Sequence, residues 1–130
     1  MDDYEEGEFT PYFFNDANGE WAGKTANSCK YIKIGNIVHC YGYVSYSSKA
    51  GTASTLRIRN MPFLADASKG NHVVSENGLG GVIPNSTPYR LRASSTDLLF
   101  YNLGVLQGTG IISQMPSSGN YELSITYTVA

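Results

Sequence analysis

The segment YELSITYTV (121–129) alternates strictly between apolar and polar side chains. Its apolar positions fall on one side of an extended chain, and they are Tyr121, Leu123, Ile125, Tyr127 and Val129. A period of two residues matches a β-strand with one buried face and one solvated face, and it does not match a helix. The segment therefore predicts an antiparallel sheet that packs a core on one side only.

Further segments at short spacing also predict strands, at residues 8–14, 29–34, 37–47, 55–61, 71–76, 80–84, 89–94 and 98–103. No window repeats apolar residues at helical spacing over three turns without Gly or Pro, and one short helical turn is expected at 64–70. The ten Tyr and fourteen Gly suit pleated surfaces joined by turns. We predict one all-β domain over residues 9–130, an antiparallel β-sandwich of jelly-roll-like type.

The stretch YIKIGNIVHCYGYVSY (31–46) contains a hairpin signal, because Gly35 and Asn36 form a two-residue turn between β-rich runs. A tight hairpin pairs Ile34 with Ile37, Ile32 with His39, and Tyr31 with Cys40. Both faces of this hairpin carry apolar side chains, so the sequence does not show which face is solvated. Such a strand is central in a sandwich or has one face against another subunit.

The two cysteines, Cys29 and Cys40, share a face in this register but stand diagonally. Diagonal neighbours are ~7–8 Å apart, beyond the usual Cα separation of a disulfide. Free thiols packed as small hydrophobic groups are the preferred interpretation, with a disulfide the alternative. The two histidines, His39 and His72, show no metal-ligand spacing with the cysteines, so no metal or cofactor is expected.

Charge and hydropathy exclude two classes of partner. The net charge is -2 and there is no basic stripe, so nucleic acid is not expected. No apolar run reaches the ~18 residues of a membrane helix, so membrane insertion is not expected. The acidic start MDDYEEGEF lacks the positive charge and apolar block of a signal peptide.

Four segments, in sequence order, share their pattern with one family. They are the acidic DDYEEGEFTP (2–11), CKYIKIGNIVHCYGYV (29–44), LRIRNMPF (56–63) and YELSITYTVA (121–130). The second departs from the pattern at Cys29 and Lys30, where the family often has Gly-Arg, and the third has Met61 for the usual leucine. Together these segments resemble the C-terminal domains of tail-fibre proteins of tailed bacteriophages, over nearly the whole chain.

This resemblance implies a fibre tip that is a homotrimer and adheres to the surface of a host bacterium. Residues 1–8 would be the lead-in from the fibre shaft, and Met1 an added start residue. The resemblance also implies a virion protein that is assembled in the host cytoplasm. The trimer needs apolar contact area, and we assign part of it to Ile37, His39, Tyr41 and Tyr43 on one hairpin face.

The receptor, a surface glycan or a surface protein, is expected to bind without covalent chemistry. Tyrosine, tryptophan and arginine provide large contact areas with polar ends, and Arg grips carboxylates in two-point contacts. Trp21 lies in a polar stretch of turn residues, and either covers the end of the sandwich or contacts the receptor. The candidate receptor-binding residues are Trp21, Tyr89, Arg90, Arg92, Tyr101 and Asn102.

Catalysis is not expected, and no catalytic residue is assigned. There is no Gly-x-Ser-x-Gly motif, His39 and Cys40 point to opposite faces of a strand, and the carboxylates are scattered over predicted turns. The alternative function is a virion structural or decoration module that binds other virion proteins. A polysaccharide-degrading fragment is a further alternative, although the chain has no long repetitive β-helix.

Overall fold

The computed structural model describes residues 3–23, 28–51, 55–70, 72–75, 89–102, 105–106, 109–112 and 114–130. The strands in these residues are β1 (Tyr4–Phe9), β2 (Tyr12–Asn15), β3 (Gly19–Glu20), β4 (Ser28–Ile34), β5 (Ile37–Tyr46), β6 (Leu56–Arg59), β7 (His72–Ser75), β8 (Tyr89–Ser94), β9 (Asp97–Asn102), β10 (Val105–Leu106) and β11 (Gly119–Thr128). A 3-10 turn at Ala67–Lys69 and a short helix, α1 (Thr109–Ile112), complete the described elements.

The strands form two antiparallel sheets packed face to face, which confirms the predicted β-sandwich. The smaller sheet has the order β1-β4-β5-β11. The larger sheet has the order β3-β2-β6-β9-β8-β7, and β10 pairs with the end of β9. The predicted strand at 80–84 lies outside the described residues.

The β4–β5 hairpin has the register predicted from its turn residues. Ile34 pairs with Ile37, Ile32 with His39, and Tyr31 with Cys40. Gly35 has φ +60° and the φ of Asn36 is not positive, which is the pattern of a type II′ turn. The backbone N–H of Gly35 donates to the carbonyl of Asp3, which ties the turn to the start of β1.

The N-terminal segment is part of the smaller sheet. Residues 4–9 form β1, which pairs along its length with β4, from Tyr4 opposite Ile34 to Phe9 opposite Cys29. The predicted single strand at 8–14 is instead divided, because Thr10 and Pro11 separate β1 from β2 and carry the chain to the other sheet. Proline has no N–H for a sheet ladder, so a break at this residue is physically expected.

The core lies between the sheets and is rich in aromatic side chains. Phe13 on β2 stacks on Trp21 with ring centroids 5.2 Å apart, and Tyr46 on β5 meets Phe13 edge-on at 5.2 Å. On β11, Tyr121, Leu123, Ile125 and Tyr127 are buried, which confirms the predicted alternation. Burial of these alternating residues from both sheets holds the sandwich closed.

Candidate binding surfaces

The outer face of the smaller sheet exposes several large apolar side chains, and we call it the hairpin face. Its register places β1, β4 and β5 side by side at this surface. The large exposed side chains are Tyr43 (60% exposed), Ile34 (53%), Ile37 (51%), Tyr4 (46%) and Tyr41 (37%). The structure shows which hairpin face is solvated, because alternate residues of β5 point inward and are buried. These buried residues are Val38, Cys40 and Val44.

Polar groups border the hairpin face along β11. His39 stacks on Tyr41 at 5.7 Å between ring centroids, with 21° between the planes. The Nδ1 atom of His39 is 2.9 Å from the Thr126 Oγ1 atom, directly across the β5–β11 pairing. The hairpin face therefore joins an apolar strip to hydrogen-bonding groups, as subunit and ligand contacts do.

A shallow groove of about 370 Å³ runs beside Tyr41 along β1 and β4. It is lined by Glu6, Gly7, Glu8, Lys30, Tyr31, Ile32 and Tyr41. Tyr31 donates a hydrogen bond of 3.0 Å to Glu5, and this bond raises the pKa of the Tyr31 phenol. The groove carries both carboxylates and an ammonium group, so it has no single sign of charge.

The outer face of the larger sheet carries arginines between aromatic and apolar side chains, and we call it the arginine face. Its described arginines are Arg57 and Arg59 on β6 and Arg92 on β8. Arg57 makes a two-point ion pair with Asp16, at 2.9 and 3.2 Å, and donates to Asp97 at 3.1 Å. The hydrogen bonds to Asp16, more than those to Asp97, raise the pKa of the Arg57 guanidinium. Arg57 thus has carboxylate partners on two sides and stabilises the surface.

Two predicted receptor-binding residues come together on the arginine face. Arg92 on β8 donates through Nη1 to the phenol oxygen of Tyr101 on β9, at 3.3 Å. Both side chains are half-buried, and Leu99 on β9 lies opposite Arg92 in the register. This contact orients Arg92 and leaves it at the surface.

Three other predicted residues are placed only by their backbone. Tyr89 pairs with Asn102 and Arg90 pairs with Tyr101 in the β8–β9 ladder. Tyr89, Arg90 and Asn102 lie on the two strands that bear Arg92 and Tyr101, but their side chains are outside the described part of the structure. Their role in receptor binding stays a prediction.

Trp21 requires a correction, because it is not a surface residue. Its side chain is 2% exposed and packs against Phe13 and against Tyr46, the latter at 5.0 Å between ring centroids. Of the two interpretations of its sequence context, the structure shows the one in which Trp21 folds back onto the core. Its buried indole N–H has no hydrogen-bond acceptor among the described residues.

Cys29 and Cys40 are both buried and both free thiols, standing diagonally as the hairpin register predicted. Burial raises the pKa of Cys29 to about 11 and that of Cys40 to about 12. In the described part of the chain, no three His, Cys, Asp or Glu residues form a group suited to a metal ion. None of the described helices is long and apolar enough to cross a membrane.

Sequence reasoning did not select Arg59, which lies two residues after Arg57 on β6 and forms an ion pair with Asp97 at 3.6 Å. Its guanidinium carbon is 3.6 Å from the centroid of the Phe14 ring, a cation–π contact. The alternation in LRIR (56–59) places Arg59 on the wet face of the sheet, but it cannot show which carboxylates reach it. That depends on strands distant in sequence.

Comparisons with known proteins inform the fold. The sequence matches no protein-family model, and no curated protein matches it. The structure is similar to the crystal structure of Dettilon tailspike protein (gp208), with a TM-score of 0.66 at 16% sequence identity. The similarity covers 98% of this chain and 24% of the tailspike chain, so this chain spans under a quarter of that protein. At such low identity, the finding concerns the shared fold.

Proposed function

We propose that the chain is a receptor-binding module of a bacteriophage tail, located at the tip of a tail fibre in the virion. The observation that carries this proposal is the fold similarity, which covers 98% of this chain but only 24% of a tailspike. The fold of this chain thus occurs as one portion of a longer phage tailspike. The four sequence segments that resemble tail-fibre C-terminal domains support the same function independently.

We further propose that the module acts as a homotrimer through its hairpin face. Tyr43, Ile37 and Ile34 are each more than half exposed there, although apolar side chains of this size are usually covered. A stable subunit interface buries roughly 800 Å² per partner, which one face of a four-stranded sheet can supply. The strip of His39 and Thr126 adds hydrogen-bonding groups at the edge of that contact.

Adhesion without catalysis is the proposed mode of action. The arginine face offers guanidinium and phenol groups for non-covalent contacts, while its carboxylate Asp16 is paired with Arg57. Three copies on one fibre tip multiply weak single-site binding, because the second and third contacts form at high effective concentration. Modest affinity at each site therefore suffices for attachment to a cell covered with receptors.

The experiment is attachment of the fluorescently labelled chain to a panel of bacterial cells, with a heat-denatured sample as the control. Saturable attachment to some strains and not to others is the expected result. A virion structural module would instead bind other virion proteins and no cells. Absence of attachment to every strain, together with capture of virion proteins, would establish that alternative. Unchanged length of the surface polysaccharide after incubation would support adhesion over degradation, and shortening would refute it.

A further inference from the structure

A pocket of about 360 Å³ lies at one end of the arginine face. It forms where the β8–β9 turn meets the end of β6 and the start of β2. Its lining residues are Tyr12, Arg59, Asn60, Ser95, Thr96 and Asp97. Each of these side chains carries a hydrogen-bonding group, so the pocket suits a ligand rich in hydroxyl or carboxylate groups.

Two pocket residues have a left-handed backbone conformation. Asn60 has φ +71° and Ser95 has φ +56°, and they are the non-glycine residues of positive φ in the described part of the chain. Surrounding hydrogen bonds hold both, since Asn60 donates to the Thr10 carbonyl and the Ser95 carbonyl accepts from Ala65. Such conformations cost energy and concentrate at functional sites, so their meeting in one pocket suggests a binding site.

Arg59 is the pocket's cation, and its hydrogen bonds are incomplete. Its Nε atom is buried and makes no hydrogen bond, although it forms an ion pair with Asp97 Oδ2 at 3.6 Å. The Phe14 ring below the guanidinium fixes its plane. Arg57, two residues earlier on the same strand, has carboxylates on two sides. Among the described residues, Arg59 has one longer ion pair, so its guanidinium is less fully engaged than that of Arg57.

We propose that this pocket binds the carboxylate of an acidic sugar, an inference that rests on the proposed adhesion function and names its ligand class. The planar guanidinium of Arg59 meets the carboxylate through its two Nη groups, since Nε is buried. The hydroxyls of Ser95 and Thr96 and the amide of Asn60 contact ring hydroxyls. Asp97, held by Arg57, accepts a hydrogen bond from another ring hydroxyl.

The lining favours a sugar over an acidic peptide as the source of the carboxylate. A peptide side chain brings an apolar stem and a backbone, and among the described lining residues Tyr12 is the large aromatic surface for it. A sugar brings a hydroxyl on nearly every ring carbon, and the other lining residues provide matching donors and acceptors. Polar groups of the pocket that a ligand covers without a hydrogen-bond partner cost free energy. The more hydroxylated ligand therefore fits the pocket better.

The test is a titration of the isotopically labelled chain with D-glucuronate, followed by nuclear magnetic resonance. D-Glucose, which has a hydroxymethyl group in place of the carboxylate, is the matched control ligand. Glucuronate is expected to cause saturable shifts of the Arg59 Nε–H signal and of the Ser95 and Thr96 amide signals. Equal shifts with glucose, or none with glucuronate, would overturn the proposal. Stronger binding of N-acetylaspartate than of glucuronate would overturn it in favour of a peptide.

Arg59→Gln is expected to weaken glucuronate binding at least about tenfold, because the two-point contact is lost. Arg59→Lys keeps the charge and should weaken binding nearly as much, which protects the test if the glutamine variant fails to fold. Lys69→Gln, the same change of charge in the 3-10 turn, should bind as the unaltered chain does. Equal affinity of the folded Arg59 variants and the unaltered chain would refute the proposal.

Cell attachment separates this inference from the proposed function. If Arg59→Gln abolishes glucuronate binding and also cell attachment, both proposals are supported. Full attachment by Arg59→Gln would leave the adhesion function standing and overturn the assignment of its ligand to this pocket. Glucuronate binding by a chain that attaches to no cell would overturn the adhesion function alone.

Discussion

Gly42 and Cys29 face each other across β4 and β5 at a separation that leaves no room for a side chain on Gly42. A Cβ atom built on Gly42 would lie 2.8 Å from Cys29 Sγ and 3.0 Å from Cys29 Cα. Gly42 also has φ +139°, in the region that side-chain-bearing residues rarely adopt. We expect Gly42→Ala to lower the free energy of unfolding by about 2–4 kcal/mol, measured by chemical denaturation.

Gly19→Ala is the matched control for the Gly42 prediction. Gly19 also has positive φ, at +83°, but a Cβ atom added to it would have nothing within 4 Å. Gly19→Ala should therefore lower the free energy of unfolding by only about 1 kcal/mol, the cost of a positive φ for alanine. Equal losses for the two variants would show that the approach of Cys29 to Gly42 contributes nothing.

Alkaline pH should destabilise the fold through buried thiols and phenols. Burial raises the pKa of Cys29 from 9.0 to about 11 and of Cys40 from 9.0 to about 12. It also raises the pKa of Tyr46 from 10.0 to about 12, and that of Tyr127 above its ordinary value. From pH 9 upward the unfolded chain loses protons that the folded chain retains, so stability present below pH 9 falls as the pH rises.

Denaturant unfolding at several pH values between 7 and 11 measures this effect. We expect the contribution of these groups to be constant up to about pH 8 and to fall steadily above pH 9. Cys40→Ala should show a shallower fall, because one of the groups with a raised pKa is absent. If Cys40→Ala leaves the fall of the unfolding free energy with pH unchanged, Cys40 is not one of the groups that cause it.

Ser95→Gly should stabilise the chain, because Ser95 holds a left-handed conformation at the first position of the β8–β9 turn. Glycine adopts positive φ without the clash of a Cβ atom, so the gain should be about 1 kcal/mol in the free energy of unfolding. Thr96→Gly, at the next position and without positive φ, should lose stability instead. A loss from Ser95→Gly would show that its hydroxyl stabilises the turn more than the conformation costs.

Local signals in the sequence predicted the elements whose partners are also local. Gly35 and Asn36 set the β4–β5 register, since a two-residue turn permits one pairing with the flanking isoleucines. The alternation of Tyr121–Val129 predicted the buried face of β11, and 64–70 contains the expected helical turn. In each case turn chemistry or side-chain period specifies the result without knowledge of distant residues.

The errors concern residues whose environment comes from distant strands. Trp21 lies among turn residues, yet it is buried because Phe13 and Tyr46 from both sheets reach it. Arg57 and Arg59 are equivalent in the sequence LRIR, and they are distinguished by Asp16, which pairs with Arg57, and by the Phe14 ring, which lies against Arg59. Solvent exposure and ion pairing follow from tertiary packing, so period and propensity cannot assign them.

The exposed aromatic and aliphatic residues of the hairpin face provide the last prediction, that of the oligomeric state. The chain should elute as a trimer at micromolar concentration in size-exclusion chromatography with light scattering. Ile37→Lys with Tyr43→Lys should give monomers, because two ammonium groups in an apolar contact cost desolvation that nothing repays. Stability of the monomer should change by less than about 0.5 kcal/mol, since both side chains are exposed on one chain.

Ser117→Lys is the control for that double variant, placing a new charge on an exposed residue in the loop before β11. It should remain trimeric, because it lies off the hairpin face. A trimer that survives Ile37→Lys with Tyr43→Lys would move the subunit contact to another surface. If the unaltered chain is monomeric, the trimer prediction is wrong. The exposed Tyr43 and Ile37 would then be expected to contact a different partner.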